Sequence, residues 1–107
     1  MQTLNEYQDA AMASAIYTDP IIYPALKLAG EAGEYCEKVG KALRDDAGVF
    51  TPDRRDAMAK ELGDVLWYVA ANARDLGLTL QEIADGNLAK LASRRERGVL
   101  GGSGDER

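Results

Sequence analysis

The stretch from Leu62 to Ala73 constrains this chain most, because only Asp64 and Asn72 within it are strongly polar. On a helix with about 100° between residues, its apolar side chains point in nearly every direction, which is typical of a helix buried on several sides. We therefore expect Asp64 to lie in partly dry surroundings. An ionised carboxylate in such a place needs a cation or several hydrogen bonds to offset its desolvation.

Two pairs of acids are spaced so that they can share such a cation. Glu31 and Glu34 stand three positions apart, and so do Glu61 and Asp64. On a helix this spacing places both carboxylates of a pair on the same face. If the two faces meet, the four acids repel one another unless they take up protons or a divalent ion. Convergence therefore favours a metal site.

The first acid pair also suits an ordinary solvated helix, because lysines stand four positions away from acids in the same segment. Pairs at this spacing contribute about 0.2–0.5 kcal/mol each on a helix surface. The three pairs are Lys27 with Glu31, Glu34 with Lys38, and Glu37 with Lys41. If the two acid faces point to solvent separately, these surface ion pairs account for the first motif without a metal.

Charge and length limit the class of protein. The chain has 107 residues, a net charge of -5 and a pI near 4.7, so we expect one domain without the basic face that nucleic acid requires. No apolar run approaches the roughly 20 residues that cross a bilayer, so we expect no membrane partner. The single cysteine and the absence of a signal-peptide pattern at the amino terminus predict a cytoplasmic protein.

The absence of histidine narrows the chemistry. It excludes serine–histidine triads, the usual catalytic zinc sites and di-iron sites that combine glutamate with histidine. A metal held by this chain must accept oxygen ligands. Clustered carboxylates suit Mg²⁺ or Mn²⁺, whereas the closely spaced acids of a calcium loop are missing.

Helix formers separated by glycine, proline and aspartate predict an all-α fold of four helices. The predicted helices cover residues 3–16, 23–44, 53–76 and 80–97. Thr51 followed by Pro52 predicts a helix start, Gly77 predicts a left-handed helix end, and Thr79 with Glu82 predicts a capping box. We expect a helical domain over residues 1–97 and a flexible, glycine-rich tail over residues 98–107.

Trp67 does not share the helical stripe that we expect to form the subunit core. That stripe consists of Met58, Leu62, Val65, Val69 and Leu76. An exposed tryptophan favours a contact between two subunits. A role in stacking on a ligand, or a plain core position in a bundle with a different rotation, remains an alternative.

One polar stripe is predicted on the fourth helix, made of Asn87, Lys90, Arg94 and Arg97. Cations near the carboxyl-terminal end of a helix are stabilised by the helix dipole, so a solvated basic face explains the stripe. Beside an acidic metal cluster, the same amide and cations are what a polyphosphate chain would require.

The sequence resembles the MazG-like all-α nucleoside triphosphate pyrophosphohydrolases. The resemblance lies in an E-x-x-E motif at Glu31–Glu34 and an E-x-x-D motif at Glu61–Asp64, and covers the chain up to about Gly98. It implies a four-helix subunit in an oligomeric helical bundle, a homodimer or a dimer of dimers. Flanking segments that agree with the family are 4–8, 23–26, 37–39 and 87–91.

The resemblance also implies a metal and a reaction. Glu31, Glu34, Glu61 and Asp64 would bind Mg²⁺, with Mn²⁺ able to substitute, and act as the catalytic residues. The substrate would be a nucleoside triphosphate, including non-standard or deoxy nucleotides, and the products its monophosphate and pyrophosphate. Among candidate substrate-binding residues, Asn87 and Lys90 match family positions that face the nucleotide, and the spacing adds Arg94.

A function from a different class, a protein without catalytic activity, remains an alternative. A non-catalytic helical oligomerisation module would also explain the third predicted helix, which is apolar on all sides. It would likewise explain the second predicted helix, whose lysines and glutamates can pair with one another. A nucleotide sensor that binds metal and nucleotide without turnover is a further alternative.

Overall fold

The predicted all-α fold is confirmed. The computed structural model describes residues 3–102 and 104, and this part of the chain contains helices and no strand. The helices are α1 (Leu4–Met12), α2 (Ile22–Asp45), α3 (Pro52–Asp75) and α4 (Leu80–Glu96). Within the described residues, no helix combines the length and apolarity that crossing a membrane requires.

The predicted helix boundaries around α3 and α4 are confirmed by their caps. The Thr51 hydroxyl accepts a hydrogen bond from the Arg54 amide at 3.2 Å, and Pro52 follows as the first helical residue. Gly77 has a φ of 78°, a left-handed conformation that glycine adopts without strain. Thr79 and Glu82 form the capping box, each accepting from the other's backbone amide at 3.1 Å.

The first helix is shorter than predicted, ending at Met12 instead of residue 16. The reason lies in the Ala11 carbonyl, which accepts hydrogen bonds from the Trp67 indole at 3.1 Å and from the Ser14 hydroxyl at 2.6 Å. The Ala15 amide, which would extend the helix by bonding to this carbonyl, donates to Met12 instead. Residues 13–21 therefore form a loop that leads into α2.

The two long helices, α2 and α3, pack against each other along their length and form the main body of the subunit. The short connection between them, residues 46–51, makes them antiparallel neighbours. Helices α1 and α4 contact each other and α3. Among the described residues, α4 makes no contact with α2.

The buried core is small and is built where α1 and α4 cover α3. It consists of Met12, Ala70, Ala71, Ala73 and Leu80, with Trp67, Tyr68 and Val69 packed against it. The prediction that Trp67 lies outside the subunit core is wrong, and Leu62 and Leu76 of the predicted core stripe are exposed. An all-round apolar helix has no unique core face, so its periodicity could not indicate which side the short helices cover.

Gln8 joins α1 to the connection between α3 and α4. Its side chain is buried, and its amide nitrogen donates to the carbonyls of Ala70 and Leu78, both at 3.2 Å. Its amide oxygen accepts from the Leu80 backbone amide at 3.1 Å. One side chain therefore satisfies three backbone groups, and its hydrogen bonds to Ala70 and Leu80 are buried.

Replacing Gln8 with leucine should lower the free energy of unfolding by about 2 kcal/mol or more, because buried polar groups left without partners cost about 1–3 kcal/mol each. Urea unfolding followed by circular dichroism measures the change. The matched control is Gln81→Leu, since Gln81 is exposed and its side chain donates a hydrogen bond to Asp85 on the helix surface. We expect the control to change stability by less than about 0.5 kcal/mol. Equal losses in both variants would contradict the buried role of Gln8.

Candidate metal centre

Packing of α2 against α3 brings acids of the two motifs together. Carboxylate oxygens of Glu31, Glu34 and Glu61 all lie within 4.8 Å of one another. Glu31 and Glu34 come from one turn of α2, and Glu61 comes from the facing side of α3. Three of the four motif acids therefore converge, with Glu31 and Glu61 partly buried and Glu34 exposed.

Asp64 lies beside this cluster without joining the mutually close set of three. It lines a pocket of about 300 Å³ together with Glu31, Trp67 and Tyr68. The expectation that Asp64 sits in dry surroundings is wrong for the subunit, because the residue is exposed. The apolar neighbours that suggested burial point to other sides of α3, and the side of Asp64 opens into the pocket.

The cluster contains buried carboxylate oxygens without partners. Oε2 of Glu31 and Oε2 of Glu61 make no hydrogen bond and are shielded from solvent within the described structure. Desolvation, followed by repulsion from Glu34 and Asp64, raises the pKa of Glu31 above its ordinary value. Desolvation and repulsion from Glu34 likewise raise the pKa of Glu61, although Lys38 opposes the shift. Such oxygens are suitable ligands for a divalent cation of the oxygen-binding type.

The surface ion pairs expected from the sequence are mostly absent at this site. Of the three lysine–glutamate pairs spaced four apart, only Lys41 with Glu37 approaches within bonding distance, at 3.5 Å. Lys38 instead reaches across to Glu61 on α3, at 3.9 Å. Helix surface pairing therefore does not account for Glu31 and Glu34, which face the acid of the neighbouring helix.

The predicted nucleotide-binding residues of α4 are not brought to the acids within one subunit. Asn87 is exposed, and α4 makes no contact with α2 in the described part of the chain. Arg94 is only 5% exposed, and its Nη2 donates to the Gly104 carbonyl at 3.3 Å. Its guanidinium thus faces the carboxyl-terminal segment, of which residues 103 and 105–107 lie outside the described residues.

Tyr68 is a site residue that the sequence analysis missed. Within an apolar run it is indistinguishable from a core residue, yet it lines the pocket beside Glu31 and Asp64. The signal that could have identified it is its spacing of four from Asp64, which places both side chains on one helix face. The glycines that precede the second acid of each motif, Gly33 and Gly63, meet open space within the subunit.

Fold and cluster together define an all-α protein with a carboxylate centre of the metal-binding type. The family model of the MazG nucleotide pyrophosphohydrolase domain matches residues 24–99. The chain therefore belongs to this family of hydrolases, whose members generally depend on a divalent metal. It is also similar to the Gene 37 protein of Mycobacterium phage L5, with 47% identity covering 94% of this chain and 96% of that protein. No solved structure matches the chain.

The raised pKa values predict how stability depends on pH when divalent ions are removed. The folded state binds protons to Glu31 and Glu61 more readily than the unfolded state does, so their contribution to stability falls as pH rises from 4.5 through the raised values. Glu31→Gln removes one of these charges. In EDTA, this variant should melt at a higher temperature than the wild type at pH 7, and the advantage should shrink towards pH 4.5.

The control for this measurement is Glu37→Gln, which removes an exposed charge from the same helix. It should melt close to the wild type across the same pH range. A Glu31→Gln variant that is no more stable than the wild type at pH 7 would show that the cluster is not electrostatically strained.

Proposed function

We propose that this protein is a Mg²⁺-dependent enzyme that hydrolyses a nucleoside triphosphate, including deoxy or non-standard nucleotides, to a monophosphate and pyrophosphate. The observation that carries the proposal is the cluster formed by Glu31, Glu34 and Glu61. Within it, Oε2 of Glu31 and Oε2 of Glu61 are buried and have no hydrogen-bond partner in the described structure. Membership of the MazG family supports the reaction class. The predicted division into a domain over residues 1–97 and a tail over residues 98–107 stays part of the proposal; residues 1–2, 103 and 105–107 lie outside the described residues.

Glu31, Glu34, Glu61 and Asp64 would hold the metal, with Mn²⁺ able to take the place of Mg²⁺. The three clustered glutamates supply hard oxygen ligands, and Asp64 adds a further carboxylate at the pocket that Glu31 shares. Bound Mg²⁺ supplies charge neutralisation of the triphosphate and lowers the pKa of a coordinated water.

The protein's own residues position the reactants and receive the proton. In the reaction, a water oxygen bonds to phosphorus, the P–O bond between the α and β phosphates breaks, and pyrophosphate leaves with the electron pair. An oxygen of one of the four motif carboxylates that the metal leaves free would accept the proton of the water. The aromatic wall of the pocket, Trp67 and Tyr68, lies next to Glu31 and Asp64 and would contact the nucleoside.

A second copy of the chain completes this proposal. Leu62 and Leu66, one turn apart on α3, are 50% and 41% exposed, and apolar side chains in such a row favour a contact between subunits. We propose a homodimer or dimer of dimers. Because α4 does not contact α2 within the described subunit, the partner would bring its predicted substrate-binding residues to the acids. These residues are Asn87, Lys90 and Arg94.

The cellular setting is part of the proposal. We keep the expectation of a cytoplasmic enzyme that acts on nucleotides without a nucleic-acid or membrane partner. The net charge of -5 supports the part that concerns nucleic acid, because binding to phosphate backbones requires a basic face. The Trp67 indole packs against the core of its own subunit. A contact between subunits through Trp67 therefore stays a prediction.

Glu34→Gln should lower the rate of pyrophosphate release by more than about a hundredfold, because it removes a central carboxylate of the cluster. A panel of common and modified nucleoside triphosphates, assayed with Mg²⁺ and then with Mn²⁺, measures the effect. Glu37→Gln is the matched control, one turn further along α2 and paired only with Lys41. We expect the control to keep the wild-type rate.

One result would contradict the proposed reaction, and another would contradict only the role of the acid cluster in it. Release of no pyrophosphate by the wild type from any nucleotide of the panel would exclude the hydrolase. Tight nucleotide binding by calorimetry under the same conditions, again without turnover, would identify a sensor. A full rate in Glu34→Gln would leave hydrolysis standing but would remove the cluster from it.

Leu62→Asp should weaken self-association by at least about tenfold, because burying a charge in an apolar contact costs more than the transfer of the leucine contributes. Analytical ultracentrifugation over a range of concentrations measures the change, and circular dichroism checks that the helices remain. The same substitution at Leu66 should act in the same direction. A wild-type chain that sediments as a monomer at every concentration would contradict the proposed oligomer.

A further inference from the structure

The carboxylate of Asp75 lies where a helix does not favour an acid. Asp75 is the last residue of α3, and the partial negative charge at a helix carboxyl terminus destabilises a nearby anion. Its side chain is nevertheless only 6% exposed. Helix stability does not explain this placement, so the contacts of the side chain outside α3 must account for it.

Those contacts join α3 to the loop between α1 and α2. Oδ2 of Asp75 accepts hydrogen bonds from the Tyr17 hydroxyl and from the Ile21 backbone amide, both at 3.0 Å. Burial alone would raise the pKa of Asp75, but the hydrogen bonds from Ile21 and Tyr17 and the neighbouring Arg74 outweigh burial and hold the pKa below its ordinary value. Asp75 therefore remains an anion that binds both ends of the segment 17–21.

The backbone at Ile21 shows that this segment is held and not relaxed. Ile21 has a φ of 68° and a ψ of -64°, a conformation that strains a β-branched residue. It precedes α2 directly and offers no side-chain cap to the helix. Such a conformation persists only where surrounding contacts fix it, and the hydrogen bond to Asp75 is such a contact.

Aromatic contacts lead from this segment to the pocket beside the acids. The ring of Tyr17 stacks on Tyr23 at 5.5 Å and meets the edge of Trp67 at 6.3 Å. Trp67 also packs edge-on against Tyr68, with the ring centres 4.8 Å apart. Trp67 and Tyr68 in turn line the pocket with Glu31 and Asp64.

Arg74 holds Tyr17, the first aromatic residue of this series of contacts. Its guanidinium lies 5.5 Å from the centre of the Tyr17 ring, and its Nη2 donates to the Tyr17 hydroxyl at 2.8 Å. Tyr17 thus receives a hydrogen bond from Arg74 and donates one to Asp75, which fixes both the position and the rotation of its ring.

We propose that Asp75 is a positioning residue for the nucleoside side of the pocket. It fixes the ring of Tyr17, which meets Trp67, and Trp67 packs against Tyr68 in the pocket wall. The inference rests on the proposed function, because the pocket is taken to bind the nucleotide. Since the network ends on the aromatic wall and not on the clustered oxygens, it acts on binding of the nucleotide more than on the chemical step.

The experiment uses the full chain with Asp75→Asn or with Tyr17→Phe, assayed on the nucleotide that the wild type hydrolyses best. Tyr17→Phe keeps the stacked ring and removes only the hydroxyl, so it serves if Asp75→Asn folds poorly. We expect KM to rise about tenfold in each variant while kcat changes by less than about threefold. The concentration of Mg²⁺ that gives half-maximal rate should stay unchanged.

The matched control is Asp19→Asn, which makes the same charge change at an exposed position of the same loop; in the described structure the Asp19 carboxylate makes no hydrogen bond to the aromatic residues or to Arg74. It should keep the wild-type KM. A second readout needs no turnover, because Trp67 is the only tryptophan of the chain. Release of the aromatic network should shift its emission and increase its quenching by acrylamide in Asp75→Asn and Tyr17→Phe, but not in the control.

These two readouts separate the possible outcomes. A wild-type KM together with unchanged Trp67 emission in Asp75→Asn and Tyr17→Phe would overturn the positioning role while leaving the proposed hydrolase intact. A fall in kcat at constant KM would also overturn it. Absence of hydrolysis by the wild type would contradict the proposed function, and the emission of Trp67 would then decide whether Asp75 sets the aromatic wall.

Discussion

Packing of α2 against α3 is the interaction on which the rest of the structure depends. Apolar contacts alone could hold two antiparallel helices together. The facing sides of α2 and α3 nevertheless bring oxygens of three carboxylates within 4.8 Å of one another. Desolvation and mutual repulsion make this arrangement unfavourable for the isolated subunit, as the raised pKa values of Glu31 and Glu61 indicate. Proteins retain such strain at functional sites, where a bound cation offsets it.

The two ends of α3 have different tasks. The part of α3 from residue 61 to residue 66 carries the acids and leaves Leu62 and Leu66 uncovered, whereas the part from residue 70 to residue 73 supplies the alanines of the core. Trp67 lies between them. Its indole nitrogen donates to the Ala11 carbonyl near the end of α1, and its ring forms part of the pocket wall. The small core and the site therefore share one helix, and changes to the loop after α1 reach the pocket through aromatic rings.

Local chemistry explains which parts of the fold the sequence predicted. The helix caps at Thr51, Gly77 and Thr79 depend on neighbours three or fewer positions away. Their roles can therefore be predicted without knowledge of the tertiary structure. The end of α1, the half-buried position of Trp67 and the exposure of Asp64 depend on which sides of α3 the other helices cover, and an all-round apolar pattern does not encode that. The acid motifs predicted the candidate cluster, whereas Tyr68 and the switch of Lys38 to Glu61 emerged only once α2 and α3 were placed together.

The central claim is that the acids of α2 and α3 form one divalent-metal centre. Anomalous scattering from crystals grown with Mn²⁺ tests it most directly, because Mn²⁺ is located independently of any assumed chemistry. We expect a strong anomalous peak between Glu31, Glu34 and Glu61, from an Mn²⁺ ion bonded to their carboxylate oxygens. Crystals saturated with Mn²⁺ that show no peak there, with the three side chains turned to solvent, would contradict it.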